Sequence, residues 1–245
     1  MLNTWSFFAF PLNLLLALLW AWGWIWLWKR HPKNKVLRFM LSPSATVSAI
    51  VLLIISCIWL GVTGNREFAE SICFVAVLLY IQTVLLLVTL RGWKDATGKT
   101  RWRFLFLHAG LLLAVGSGFW GAPDSLELRV ALERGQETQT AYTMGGNLSP
   151  LGYAIKMLDF NAEYSIDGKP SDYEAIVSID EGDSISLCVN SPYPVSAGED
   201  VYLASVTEDY CILQIVREPW KYFALSGILM LIAGAFMLFI KGPGR

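Results

Sequence analysis

RFLFLHAGLLLAVGSGFWG, residues 103–121, decides how the rest of the chain is read. The run is apolar, bounded by arginine, and about as long as the roughly 20 residues that cross a bilayer core. Inside it sits His108, one of only two histidines in the chain. A side chain that can ionise or ligate is costly in hydrocarbon, so it marks a functional site by default. The plainer alternative is a hydrogen bond to a neighbouring helix.

Working outward, 55% hydrophobic and 16% charged residues suit an integral membrane protein better than a soluble domain. Five stretches are long enough to span: 7–28, 45–64, 71–90, 104–121 and 222–240. The predicted architecture is a helical bundle at 1–121, an all-β antiparallel domain at 122–219, and a last helix with a short tail at 220–245. Basic residues set the orientation. Lys29, Arg30, Lys33, Lys35 and Arg38 follow the first span. Arg91, Lys94, Lys99, Arg101 and Arg103 follow the third, and Lys241 and Arg245 the fifth. These ends face the cytoplasm, which puts the β-domain and the N-terminus on the opposite, extracytoplasmic side. The first span lacks the basic n-region of a secretory signal. Its tail WAWGWIWLW, residues 20–28, reads as an interfacial aromatic belt.

Residues 122–219 carry 17 acidic residues against five basic ones, Arg129, Arg134, Lys156, Lys169 and Arg217. A domain this acidic does not bind nucleic acid or anionic headgroups electrostatically. LELRVAL, YAIKMLDF, YEAIVSI, SISLCV, VYLASV and YCILQIV alternate with period two and read as strands. Turns are expected at Gly145-Gly146, Asp167-Gly168, Glu181-Gly182-Asp183 and Ser196-Ala197-Gly198. The result is an antiparallel sandwich or partial barrel. Cys188 and Cys211 could pair or remain free as small hydrophobes. The sequence has no CxxC, HExxH, P-loop, GxSxG or Cys/His zinc cluster, and the domain has no histidine. Dithiol, hydrolytic and zinc chemistry carried by this domain alone are disfavoured.

His108 follows Arg103 by five residues, about 7–8 Å inside the cytoplasmic helix end. Gly110, Ala114 and Gly118 form a small-residue stripe that lets a helix approach, and Gly227 and Gly234 offer a second. A neutral imidazole is an axial ligand for haem iron. Arg91, Lys94, Arg101 and Arg103 lie at a depth that suits haem propionates, and Trp93 and Trp102 could meet a porphyrin edge. The same cations also satisfy the positive-inside rule with no ligand bound. His31 sits in the basic loop and is expected to be solvated. A bis-histidine haem would then need its second ligand from another polypeptide.

At this point the chain resembles a known family. FLHAGLLLAVGSGFWG, entering a β-domain, resembles the third helix of ResB (CcsB) proteins of System II cytochrome c maturation. LSPSATVSAIVLLIISCIWLGV (41–62) looks like that family's first helix. VNSPYPVSAGEDVYLASV (189–206) is similar to its N-x-P stretch and aromatic strand. CILQIVREPWKYFALSGILMLIAG (211–234) is similar to its exit strand and final helix. The resemblance runs from about Leu41 to Ile240. The Trp-rich first span has no counterpart in the family pattern, and the β-domain is short for it.

The resemblance implies a membrane subunit that helps move haem across the bacterial inner membrane. With a ResC/CcsA-like partner it would deliver haem to the CxxCH thiols of apocytochrome c. It implies His108 as one haem-iron ligand, with Arg103, Arg101 and Arg91 near the propionates and haem shared with the partner. As an enzyme the chain would be at most the non-autonomous half of a haem-attaching cytochrome c synthase. The competing expectation is a haem-free scaffold that presents apocytochrome or a thioredoxin-like thiol reductant to ResC. A cytochrome b-type electron carrier is weaker, because it needs two well-placed histidines.

Overall fold

The computed structural model describes residues 6–64, 66–164, 170–207 and 209–241. The expected Asp167-Gly168 turn, Lys169 and Arg245 lie outside the described residues, as does the chain before Ser6. Two compact units emerge: Asp124–Pro219, and the helices on either side of it.

The helical unit contains α1 (Leu12–Arg30), α2 (Lys35–Met40), α3 (Pro43–Thr63), α4 (Arg66–Ala69), α5 (Ile72–Gly92), α6 (Trp102–Gly121) and α7 (Lys221–Lys241). Five of these helices, α1, α3, α5, α6 and α7, are long and apolar enough to cross a membrane. Their ends follow local chemistry. Ser42 caps α3 by accepting from the Ala45 N–H at 3.2 Å, with Pro43 pre-set for the first turn. Gly64, at φ 61°, closes the other end in the left-handed conformation. Ser71 caps α5 in the same way through the Phe74 N–H. The first helix begins at Leu12 and not at Phe7, because Pro11 holds its N-cap and disfavours helical backbone in the residue before it. The short helices α2 and α4 carry no hydrophobic period of their own and were not expected.

Packing inside this unit follows small residues. A Cβ on Gly227 would lie 2.6 Å from the Ala114 nitrogen and 2.7 Å from the Gly110 oxygen. One on Gly234 would meet Leu107 at 2.9 Å. The α6–α7 seam therefore uses Gly110, Ala114, Gly227 and Gly234 as backbone-approach positions. Gly118, expected in the same stripe, has nothing within 4 Å and lies off the seam. The stripe drifts around the helix, because 3.6 residues per turn do not hold an i, i+4, i+8 row on one face. On α1, Trp20 packs against Trp120 of α6 with ring centroids 6.0 Å apart, so this Trp is a packing residue.

The second unit is a single all-antiparallel sheet, not two. Its strands are β1 (Leu126–Glu133), β2 (Glu137–Thr143), β3 (Leu148–Tyr164), β4 (Pro170–Ile179), β5 (Ser184–Cys188), β6 (Tyr193–Ser196), β7 (Glu199–Val206) and β8 (Tyr210–Arg217). Their order is β5-β4-β3-β2-β1-β8-β7-β6. First and last strands are neighbours, with Leu126 opposite Arg217, so the chain enters and leaves the unit at one place. Alternation puts Leu128, Val130 and Leu132 of β1 inward with Leu213 and Ile215 of β8. Leu187 near one edge and Val201 near the other join the same core, so the sheet curls on itself. Register shifts at Met157/Asp159 and Leu203/Ser205 are bulges of the kind that bend strands. The polar β2 and the short β6 were not anticipated. ETQTAYT has no apolar alternation, and YPVS is four residues long. All four cysteines are free. Cys211 is buried with its thiol 3.8 Å from the Met157 sulfur, and Cys188 is exposed on β5.

Candidate functional site around His108

The sequence folds into a helical hairpin at this site because its connection closes on itself. Asp95 Oδ1 accepts from the Thr97 N–H, the Thr97 hydroxyl and the Lys99 N–H, between 2.7 and 3.0 Å. These bonds, the Thr97 hydroxyl foremost, hold the Asp95 carboxyl below its ordinary value. The Arg101 N–H then bonds the Trp93 carbonyl at 2.7 Å, which sets α6 antiparallel to α5.

One turn into α6, the Phe104 ring lies on Gly92, where any Cβ would overlap it. That seat is open only because residue 92 has no side chain. Stacked on Phe104 is His108, with ring centroids 3.8 Å apart and planes 19° from parallel. The Arg101 guanidinium lies 4.9 Å from the same Phe104 ring and donates to the Gly92 carbonyl at 3.3 Å. Cation, phenyl and imidazole thus share one aromatic seat.

His108 Nδ1 is 3.0 Å from the Phe104 carbonyl oxygen. A carbonyl only accepts, so the contact suits the Nδ1–H tautomer, which leaves the Nε2 lone pair free. Anchoring one ring nitrogen on a backbone carbonyl is the usual second-shell arrangement for a histidine that ligates through the other. The side chain is half-buried. Among the described residues no group of three His, Cys, Asp or Glu side chains could hold a metal ion. What the arrangement offers is one oriented imidazole nitrogen.

The sequence-selected cations divide. Arg101 reaches the His108 seat through Phe104. Arg91 donates to the Leu41 carbonyl at 2.9 Å and thereby ties the end of α5 to the α2–α3 corner. Arg103 is half-buried on the first turn of α6. Lys94 lies 4.4 Å over the Trp93 ring, and Trp102 is exposed beside Phe106. His31 is exposed at the end of α1, edge-on to Trp26. Phe104 and Gly92 were not picked out from sequence. The signal was present for Phe104, which lies one i, i+4 step before His108 on the same helix face.

In the second unit, Glu199 is buried and receives two donors: the Tyr153 hydroxyl at 2.7 Å and the Arg217 guanidinium. Burial, then the Glu199 carboxylate, push the Tyr153 hydroxyl far above its ordinary range. This group fastens β3, β7 and β8 together, and Tyr153 enters it as a donor.

Residues 98–212 match the family model described as "ResB-like family". A search of curated proteins matches none. Among solved structures the chain is similar to one titled "Cytochrome c Heme Lyase CcmF", with 13% identity and a TM-score of 0.39, over 93% of this chain and 45% of that one. The chain thus spans less than half the length of that protein. The family match takes in the last part of the α5–α6 connection, all of α6 with His108, and the sheet into β8. Over that stretch, the histidine helix and the sheet it leads into, the chain is similar to the ResB-like family.

Proposed function

We propose that this chain is a membrane subunit of a cytochrome c assembly complex and that it helps pass haem to a ResC/CcsA-like partner. The ResB-like match supports a role in cytochrome c maturation. The observation that carries the residue-level reading is the Nδ1 contact of His108 with the Phe104 carbonyl, which leaves Nε2 as a ligand-competent donor. His108 Nε2 binds haem iron from one side, and the partner supplies the opposite ligand. Haem here is cargo, so a single protein ligand of moderate hold suits its release. Arg101, fixed beside the Phe104 ring, and Arg103 one turn before His108 supply positive charge for propionates. Arg91, whose guanidinium also donates to the Leu41 carbonyl, is the third such cation.

By the charge rule the α5–α6 connection faces the cytoplasm of a bacterial inner membrane, and the sheet lies on the extracytoplasmic side. There the acidic sheet meets apocytochrome c or a thiol-reducing partner. In cells lacking the chain, covalent cytochrome c is expected to be absent, and the wild-type gene is expected to restore it. His108→Ala is expected to leave maturation defective while the protein still accumulates. Full maturation with His108→Ala would instead support the haem-free scaffold.

A further inference from the structure

Gln82 lies at the middle of α5 and is fully buried. Its Oε1 accepts from the Trp120 indole N–H at 3.0 Å. Indole only donates, so the amide cannot be turned round, and its NH2 group is committed to point elsewhere. There Nε2 finds no hydrogen-bond acceptor among the described residues. None of the polar side chains around it accepts from Nε2. Thr83 donates to the Leu79 carbonyl, Ser117 to the Ala114 carbonyl, and Asn13 to the Trp120 carbonyl. An unpaired amide donor in an apolar interior is costly to keep.

Gln82 borders a cavity of about 420 Å³, and its amide, which has no accessible surface, must shift to meet anything bound there. Trp20, Trp120, Trp220 and Phe223 contribute flat walls, and Gly116 leaves its floor open. This is the make-up of a small-molecule site: mostly apolar, aromatic, with one placed polar group. The size and walls suit a flat ring, and the free N–H requires an oxygen acceptor on it. Depth narrows the class further. Gln82 is ten residues from each end of α5, about 15 Å along the helix. Phospholipid ester carbonyls, which lie at the bilayer interface, do not reach that level.

We propose that this cavity binds a flat, bilayer-soluble conjugated carbonyl compound, whose oxygen accepts from Gln82 Nε2 while its ring lies among the tryptophans. The inference rests on the membrane reading of α5 and does not depend on His108. The probe is 2-methyl-1,4-naphthoquinone, dialysed to equilibrium against the full chain in lipid nanodiscs. Its comparator is 2-methylnaphthalene, of like shape but without oxygen. Saturation at one quinone per chain is expected, with the hydrocarbon about tenfold weaker or worse. Gln82→Met is expected to weaken the quinone by about tenfold and to leave the hydrocarbon unchanged. Gly116→Leu keeps Gln82 and fills the space, its Cβ in ordinary contact with Gln82 Oε1 at 3.7 Å, so both compounds are lost; it serves if Gln82→Met fails to fold. Equal binding of quinone and hydrocarbon, or unchanged quinone binding in both variants, overturns the proposal. So does a Gln82→Met variant that binds quinone normally but no longer co-purifies with a partner membrane chain, since a protein helix then supplies the acceptor. Failure of the chain to enter nanodiscs at all would refute the membrane reading instead.

Discussion

Replacing Gly227 with alanine tests whether the α6–α7 seam sets the position of the histidine helix. The added Cβ would stand 2.6 Å from the Ala114 nitrogen and 2.7 Å from the Gly110 oxygen, both backbone atoms that no rotamer change can move. Ordinary contact begins at 3.4 Å, so the two helices must part by about 0.8 Å at this point. Overpacking of this kind costs about 1–3 kcal/mol, and a backbone clash on two atoms belongs at the top of that range. Alanine returns about 1 kcal/mol in helix propensity. The net loss is about 2 kcal/mol. Gly118→Ala supplies the internal comparison: nothing lies within 4 Å, so only the gain of about 1 kcal/mol remains. The two variants, identical in chemistry, are expected to differ by about 3 kcal/mol in opposite directions. Equilibrium unfolding in mixed micelles, followed by far-ultraviolet dichroism, measures both. Values within about 0.5 kcal/mol of each other would refute the close-approach argument.

Three further outcomes are expected. Gly92→Val fills the seat of Phe104 and shifts the ring on which His108 stacks, so haem affinity of the assembled complex should fall about tenfold although His108 is intact; unchanged affinity would show that the seat does not orient the imidazole. Arg217→Met leaves the buried Glu199 carboxylate without its cation and should destabilise the sheet unit by about 3 kcal/mol, the low end for a broken pair because Arg217 is partly exposed. A melting temperature equal to wild type would contradict it. Burial pushes the Cys211 thiol up to about 12. The unfolded thiol ionises first, so this contribution to stability is intact below the ordinary thiol value and is lost as pH rises from about 9 toward 12. Maleimide should accordingly label exposed Cys188 in the folded protein and reach Cys211 only after denaturation, and rapid labelling of both would argue against the buried position.

Much of the fold was legible because hydrocarbon-length apolar runs and period-two strands are strong signals. The five long helices and six of the eight strands follow from them. The other two strands failed for different physical reasons. β2 is polar on nearly every residue and holds its place through ladder bonds to β1 and β3, while β6 is a four-residue edge strand containing Pro194. The helix seam was half legible: Gly110 and Gly227 meet, but Gly118 does not, since spacing names a stripe without naming the face a neighbour will use. At the site, one expensive side chain in an apolar run singled out His108. The same rule applied to Gln82 would have found the second buried polar group. Its tie to Trp120, and the wall that Trp20 adds, depend on tertiary packing that no local pattern encodes.

His108 is proposed to ligate haem only in company. The direct measurement is haem per complex, by pyridine haemochrome assay and absorption spectrum, for the chain purified with the proposed ResC/CcsA-like partner. Bound haem is expected in the wild type and in His31→Ala, and strongly reduced haem in His108→Ala at equal partner recovery. Added imidazole is expected to restore the spectrum of a His108→Gly complex. Undiminished haem in His108→Ala, with an unchanged spectrum, would contradict ligation by His108.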